Sequence, residues 1–266
     1  MSGRGRPSGI LAALVYVFLY SPIVIMALFS FNNAKVIALP FVGFTLKWYQ
    51  NIANDPLLLE SLYNSLVVGL GAVLLAILFG IPAAFAIQRY QFPGREFFRR
   101  VVLLPIILPG LITGISLLNF FRLLGMRMSL WTVVLGHGTA LISVVVTEVY
   151  ARLNSMSVSL EEASHDLGAD SLYTFRRVIL PRILPAVAAA ALIAFTLSFD
   201  EIPVTFFLTG SANTLPMEIW SRLRRGITPE INAISTLIIL FSIASILLSV
   251  RFTGRGGHVS DRQAEM

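Results

Sequence analysis

The sequence predicts an all-α membrane protein built on about six transmembrane helices. Three observations carry that prediction. Hydrophobic residues make up 56% of the 266 and charged residues only 13%, with a mean hydropathy of +0.80, well outside the range of an ordinary soluble domain. Several apolar runs reach the roughly 20 residues needed to cross a hydrocarbon core of about 30 Å. Basic residues gather in alternate segments between those runs, the pattern left by loops that resist translocation.

The runs lie near 10–30, 62–88, 101–121, 130–151, 183–208 and 233–251. The first follows "SGRGRPSG", and no small-x-small cleavage pattern separates its apolar core from "NNAK", so it reads as a retained helix and not as a removed signal. With the amino terminus inside, Arg4, Arg6, Arg89, Arg95, Arg99, Arg100, Arg152, Arg176, Arg177, Arg182, Arg251, Arg255 and Arg262 face the cytoplasm, thirteen of the twenty basic residues. Both termini are therefore expected to be cytoplasmic. The basic balance is a topology signal, and no soluble basic face for nucleic acid is present.

Helix one carries Pro22, helix two Pro82, and helix three is interrupted by "PIILPGLITG". Breakers at membrane depth require neighbours or a cavity to satisfy the freed backbone groups, so these helices are expected to pack inward. Helix four contains "GHGT", whose glycines permit close helix contact. His137 within it reads as a satisfied packing residue, and Glu148 and Arg152 are spaced to pair at i, i+4. Cysteine is absent, and the three histidines and scattered acids show no metal-ligand spacing. No linker or repeat interrupts the chain, so 1–266 reads as a single membrane domain.

Between helices four and five lies the longest polar passage, about residues 157–182 and centred on "SLEEASHDLGADSLYTFRRVILP". Ser159 followed by Glu162 has the form of a capping box and predicts a helix starting at Leu160. Glu161 and Glu162 suit the positive end of its dipole, and Gly168 is placed to end it. Leu172, Phe175 and Ile179 then predict a second short amphipathic helix closed by Pro181. Such a unit reads either as a docking element or as an interfacial helix on the lipid headgroups.

"EAS" at 162–164, Gly168, and then Val178, Leu180 and Pro181 resemble the EAA loop found in permease subunits of binding-protein-dependent ABC importers. That pattern runs E-A-A, three residues, G, nine residues, I-x-L-P. The sequence departs from it at Ser164 and Val178 and keeps the spacing. "NSLVVGLGAVLLAILFGIPAAFA" in helix two resembles the same permeases. The resemblance implies a type I importer fold in which the loop is the coupling helix seated on a cytoplasmic ATPase subunit. It assigns ATPase coupling to Glu161, Glu162, Ala163, Ser164, Asp166, Gly168, Leu180 and Pro181. It also implies a bacterial inner-membrane assembly with a second permease, two ATPase subunits and an extracytoplasmic binding protein. No G-x-x-x-x-G-K-[ST] occurs in the chain, so no catalytic role and no cofactor is expected here, and ATP and Mg belong to the partner ATPase subunits.

"LSFDEIPVTFFLTG" places Asp200 and Glu201 toward the end of helix five. Acids at that depth read either as part of a cation path or as solvated groups at the helix end. This segment, with "TLPMEIW" and "GITPEINAISTLII", is similar to the spermidine/putrescine branch, which implies a substrate path at Asp200, Glu201, Phe199 and Phe206. Aromatic side chains there offer cation-π contacts or fill helix packing. That branch often carries an acid where this sequence has Gly110, so importers of opines, aminophosphonates or other amine solutes remain alternatives. An ion-gradient-driven secondary transporter is a further alternative, distinguished by the need for an ATPase partner.

Overall fold

The structure, a computed structural model, describes residues 5–34, 39–226 and 228–253. Lys35, the basic residues Arg4, Arg255 and Arg262, and the expected cytoplasmic tail from 254 onward lie outside them. The described residues are helical apart from short turns and one isolated antiparallel bridge between Asn32 and Phe44. They fall into two compact units, residues 1–56 with 219–266, and 57–218.

In the first unit, α1 (Gly5–Phe29) leads through the bridge to the short α2 (Lys47–Ala53), and α12 (Pro229–Thr253) packs against both. Trp48 Nε1 donates to Asn32 O at 2.8 Å and fixes the bridge on α2. Asn51 Nδ2 donates to Glu230 Oε1 at 2.9 Å, and Arg222 pairs with Asp55 at 2.8 Å. Among the described residues Leu14, Phe18 and Val24 of α1 are exposed. The carbonyl of Phe18, which Pro22 cannot serve, accepts from Ser21 Oγ at 3.2 Å. A neighbouring side chain thus meets the need that another helix would otherwise fill.

The second unit is a bundle. α3 (Pro56–Arg89) has 34 residues, about 51 Å at 1.5 Å per residue, so it overruns a 30 Å core by several turns. α4 (Arg95–Leu103) and a 3-10 turn (Leu104–Ile106) are followed by α5 (Gly110–Leu123), bent 109° away from the preceding segment. The bend falls where Pro105, Pro109 and Gly110 predict a break. Pro109 takes an extended conformation with ψ 132°, which ends one helix and caps the next.

α6 (Leu130–Asn154) is the most enclosed helix of this unit, and it packs along α9 (Leu180–Asp200). Val145 and Val149 meet a stripe of Ile183, Val187, Ala190 and Ala194, the small residues permitting close approach. The glycines of "GHGT" do the same: a Cβ on Gly136 would lie 2.5 Å from Leu208 Cδ1, and one on Gly138 2.9 Å from Leu75. The expected Glu148–Arg152 pair is not formed. Arg152 Nε donates instead to Arg182 O at 3.0 Å, tying α6 to the start of α9.

Helix five of the sequence reading also needs revision. The predicted run 183–208 is broken after Asp200, where Glu201 turns extended with ψ 112°, and a separate α10 (Pro203–Leu208) begins. Pro203 lacks the N–H that continuation would use. α11 (Leu215–Arg225) follows. Among the described residues four helices are long and apolar enough to span a membrane, five if the bent pair forms one broken span. α12 coincides with the predicted sixth run, and its described apolar stretch is Pro229–Leu240.

Candidate functional site

The polar passage folds as α7 (Ser159–Asp166), α8 (Ser171–Thr174) and a π-helical turn (Phe175–Ile179) that runs directly into α9. The helix–glycine–helix form expected from sequence is present, but two of its details are corrected. Ser159 makes no capping box, and the helix starts at Ser159 and not at Leu160. The Ser159 hydroxyl pairs with Ser157 Oγ at 2.6 Å, and the amides of Glu161 and Glu162 both donate to Val158 O. Pro181 closes nothing. The π turn lets Leu180 N reach back to Phe175 O, and Pro181 then falls in the first turn of α9, where a missing N–H costs little.

Gly168 ends α7 with φ +84°, Gly168 N donating to His165 O at 2.8 Å and Ala169 N to Ser164 O at 3.1 Å. This is the Schellman pattern, which needs a left-handed residue at that position. Asp170 Oδ1 accepts from Tyr173 N at 2.6 Å and caps α8. The substitution at Ser164 has a structural counterpart. Its hydroxyl is buried and pairs with Thr174 Oγ1 at 2.9 Å, joining α7 to α8.

Of the other residues assigned to this loop, Glu162, Ala163 and Asp166 are exposed. Beside them Leu167 is 89% exposed, so α7 presents an acidic, leucine-tipped face. Glu161 turns the opposite way and pairs with Arg89 at 2.7 Å, their side chains 15% and 10% exposed. Phe175 meets Phe85 edge-on at 5.8 Å, and Gln88 Nε2 donates to Asn154 Oδ1 at 3.0 Å. A cavity of about 590 Å³ lies between α7, α8 and the end of α3, its polar lining including Arg89, Glu161 and His165. Arg99 lies 5.2 Å over the ring of Tyr150. Arg89, Arg99 and Arg152 are thereby held at the loop end of this unit.

A second cavity, about 250 Å³ and partly open, is bordered by the bent segment and the start of α5 together with α6, α9 and α10. Glu201 is the one acid in its lining, accompanied by Thr113, His137, Ser143 and Ser198 among mostly apolar residues. Glu201 Oε1 accepts from Val204 N at 3.0 Å, so the carboxylate also caps α10. The other three residues assigned to a substrate path do not line this cavity. Asp200 is exposed, Phe199 packs on Phe195 at 5.8 Å, and Phe206 is exposed and edge-on to Phe207.

His137 is a packing residue, as read, and it also holds the break at Glu201. It is 3% exposed, with Nδ1 2.8 Å from Ser198 Oγ and Nε2 3.0 Å from Thr205 Oγ1. Thr205 spends its hydroxyl proton on Glu201 O at 2.7 Å, so Nε2–H must be the donor to Thr205. In the neutral ring Nδ1 then accepts from Ser198. One side chain on α6 thus pins α9 and α10 on either side of the break that presents Glu201. Neither this role nor the Arg89–Glu161 pair was visible in sequence, because both join residues more than 60 positions apart.

Comparison with known proteins extends over nearly the whole chain. A family profile described as "Binding-protein-dependent transport system inner membrane component" matches residues 76–255. The chain is 36% identical to the spermidine/putrescine transport system permease protein PotC of Shigella flexneri, over 97% of this chain and 100% of that one. It is 34% identical to the putrescine transport system permease protein PotI of Escherichia coli K12, over 86% and 84%. Its fold is similar to that of a bacterial ABC transporter involved in the import of the acidic polysaccharide alginate, with TM-score 0.70, 18% identity, and 97% and 99% of the two chains covered. The MetNI methionine ABC transporter gives TM-score 0.62 at 18% identity, over 75% and 93%.

Proposed function

Since the chain belongs to the family of binding-protein-dependent transport system inner membrane components, we propose that it is the transmembrane permease subunit of an ATP-driven importer of spermidine, putrescine or a related small amine. The observation that carries this reading is identity of 36% sustained from end to end with a spermidine/putrescine permease. The assembly would contain a second permease subunit, two cytoplasmic ATPase subunits and an extracytoplasmic binding protein that delivers the solute. ATP and Mg would be bound by the ATPase subunits and no cofactor by this chain. It would lie in a bacterial inner membrane with both termini cytoplasmic, putting the α7–α8 loop and its surrounding arginines on the ATPase side.

In this reading the exposed face of α7, with Glu162, Ala163, Asp166 and Leu167, meets the ATPase, and closure of the ATPase pair moves the loop as a body. Glu161, Ser164, Gly168, Leu180 and Pro181 support that face and connect it to the spans. Glu201 is the acid of the solute path, where a desolvated carboxylate favours an ammonium group. A second reading, uptake of a solute with a single amine, is favoured by one observation: among the described residues Glu201 is the only carboxylate in the cavity lining.

The test is purification of the tagged complex with its ATPase, reconstitution with the binding protein, and measurement of ATP hydrolysis against a panel of polyamines, opines and aminophosphonates. Stimulation by spermidine or putrescine is the expected result. A tagged chain that brings down no ATPase overturns the importer reading. Stimulation by a monoamine alone selects the second reading.

A further inference from the structure

Resting on the importer reading, we propose that the Arg89–Glu161 ion pair is a coupling strut that makes α3 move with the coupling helix, so that Arg89 is a positioning residue for transport. The loop is covalently continuous with α9, so a push on α7 reaches that span through the backbone. No chain continuity links it to α3, whose last residue is Arg89. The contact across that gap includes the 2.7 Å ion pair and the edge-on Phe85–Phe175 pair at 5.8 Å, with Ile179 in one apolar cluster with Ala84 and Ile87.

Three features fit the pair for carrying displacement. Both side chains are largely enclosed, at 10% and 15% exposure, so salt and water screen the contact less than a surface pair. Glu161 lies on the first turn of α7, whose far end is fixed by the Gly168 stop and whose middle is tied to α8 by Ser164–Thr174. The loop therefore moves as one piece. α3 in turn is packed without slack into the bundle, since a Cβ on Gly80 would lie 2.7 Å from Val145 and one on Gly69 2.8 Å from Phe195. A displacement delivered at Arg89 is thus passed to α6 and α9, which line the cavity holding Glu201.

The experiment uses the complete transporter with its ATPase and binding protein in proteoliposomes, comparing the parent with Arg89→Glu, Glu161→Arg, the double exchange, and the milder Glu161→Gln. Solute uptake per ATP hydrolysed is the readout. The expected result is a drop of about tenfold in that ratio for each reversal, a smaller drop for Glu161→Gln, and recovery to within about threefold in the double exchange. An unchanged ratio in the single variants overturns the proposal. So does loss of complex assembly that the double exchange fails to rescue, because the pair would then serve folding alone. If the parent complex itself recruits no ATPase, the importer reading fails first, and the strut falls with it.

Discussion

Gly110 lies against Glu201: a Cβ at residue 110 would stand 2.9 Å from Glu201 Oε1. The same oxygen accepts from Val204 N, so the carboxylate is confined between a glycine on one element and a helix start on another. Gly110→Ala pushes the carboxylate off its cap or out of line with the cavity. Half-saturation for an amine solute should rise about fivefold, the equivalent of roughly 1 kcal/mol of lost contact. Uptake titrations in proteoliposomes measure it, and an unchanged curve would show that the position of the carboxylate does not matter.

The two adjacent acids should separate sharply. Glu201 lines the cavity and Asp200 is exposed outside it. Glu201→Gln is expected to lower amine uptake by about tenfold or more, the scale of one charge-assisted contact, and Asp200→Asn to leave it within about twofold. The reverse ranking would move the solute path to the other side of α9.

Gly168 at φ +84° has open space where a Cβ would go, so substitution there acts on the backbone and not by collision. Gly168→Val forces a β-branched residue into the left-handed region at a cost of about 1–2 kcal/mol, unwinding the stop of α7. Transport is expected to collapse while membrane insertion persists. Gly168→Asn, which tolerates that region, should retain most uptake.

His137→Leu removes both contacts of the imidazole and leaves the buried Ser198 hydroxyl without its partner. The expected destabilisation is about 1–3 kcal/mol, read as a lowered Tm of the purified complex in detergent. Transport should fall further than stability alone explains, because the break that presents Glu201 loses its clamp.

The fold class was legible because spans are written in runs of apolar residues: four of the six runs needed only shifted ends, and 101–121 bends by 109° where Pro105, Pro109 and Gly110 predict a break. In the fifth, 183–208, an acid and a proline at 201 and 203 broke a run that is apolar on average. The loop was legible through Gly168, whose requirement for a positive φ is a property of one residue. Its capping was misread because Ser157, two residues upstream, captured the Ser159 hydroxyl, a competition between neighbours that composition does not rank. Pairings such as Arg89 with Glu161 depend on which helix ends the bundle brings together, and no local pattern encodes that.

The π turn at 175–179 gives the loop an angular setting. One residue beyond regular α-helical winding turns everything before it by about 100° around the axis of α9. The stripe from Ile183 to Ser198 must face α6, while Thr174 must face Ser164. The wide turn reconciles two orientations that a uniform helix would place out of phase. Chain length between Gly168 and Pro181 is therefore fixed by rotation as well as by reach, so losing a single residue there would aim the loop in the wrong direction even if every helix still formed.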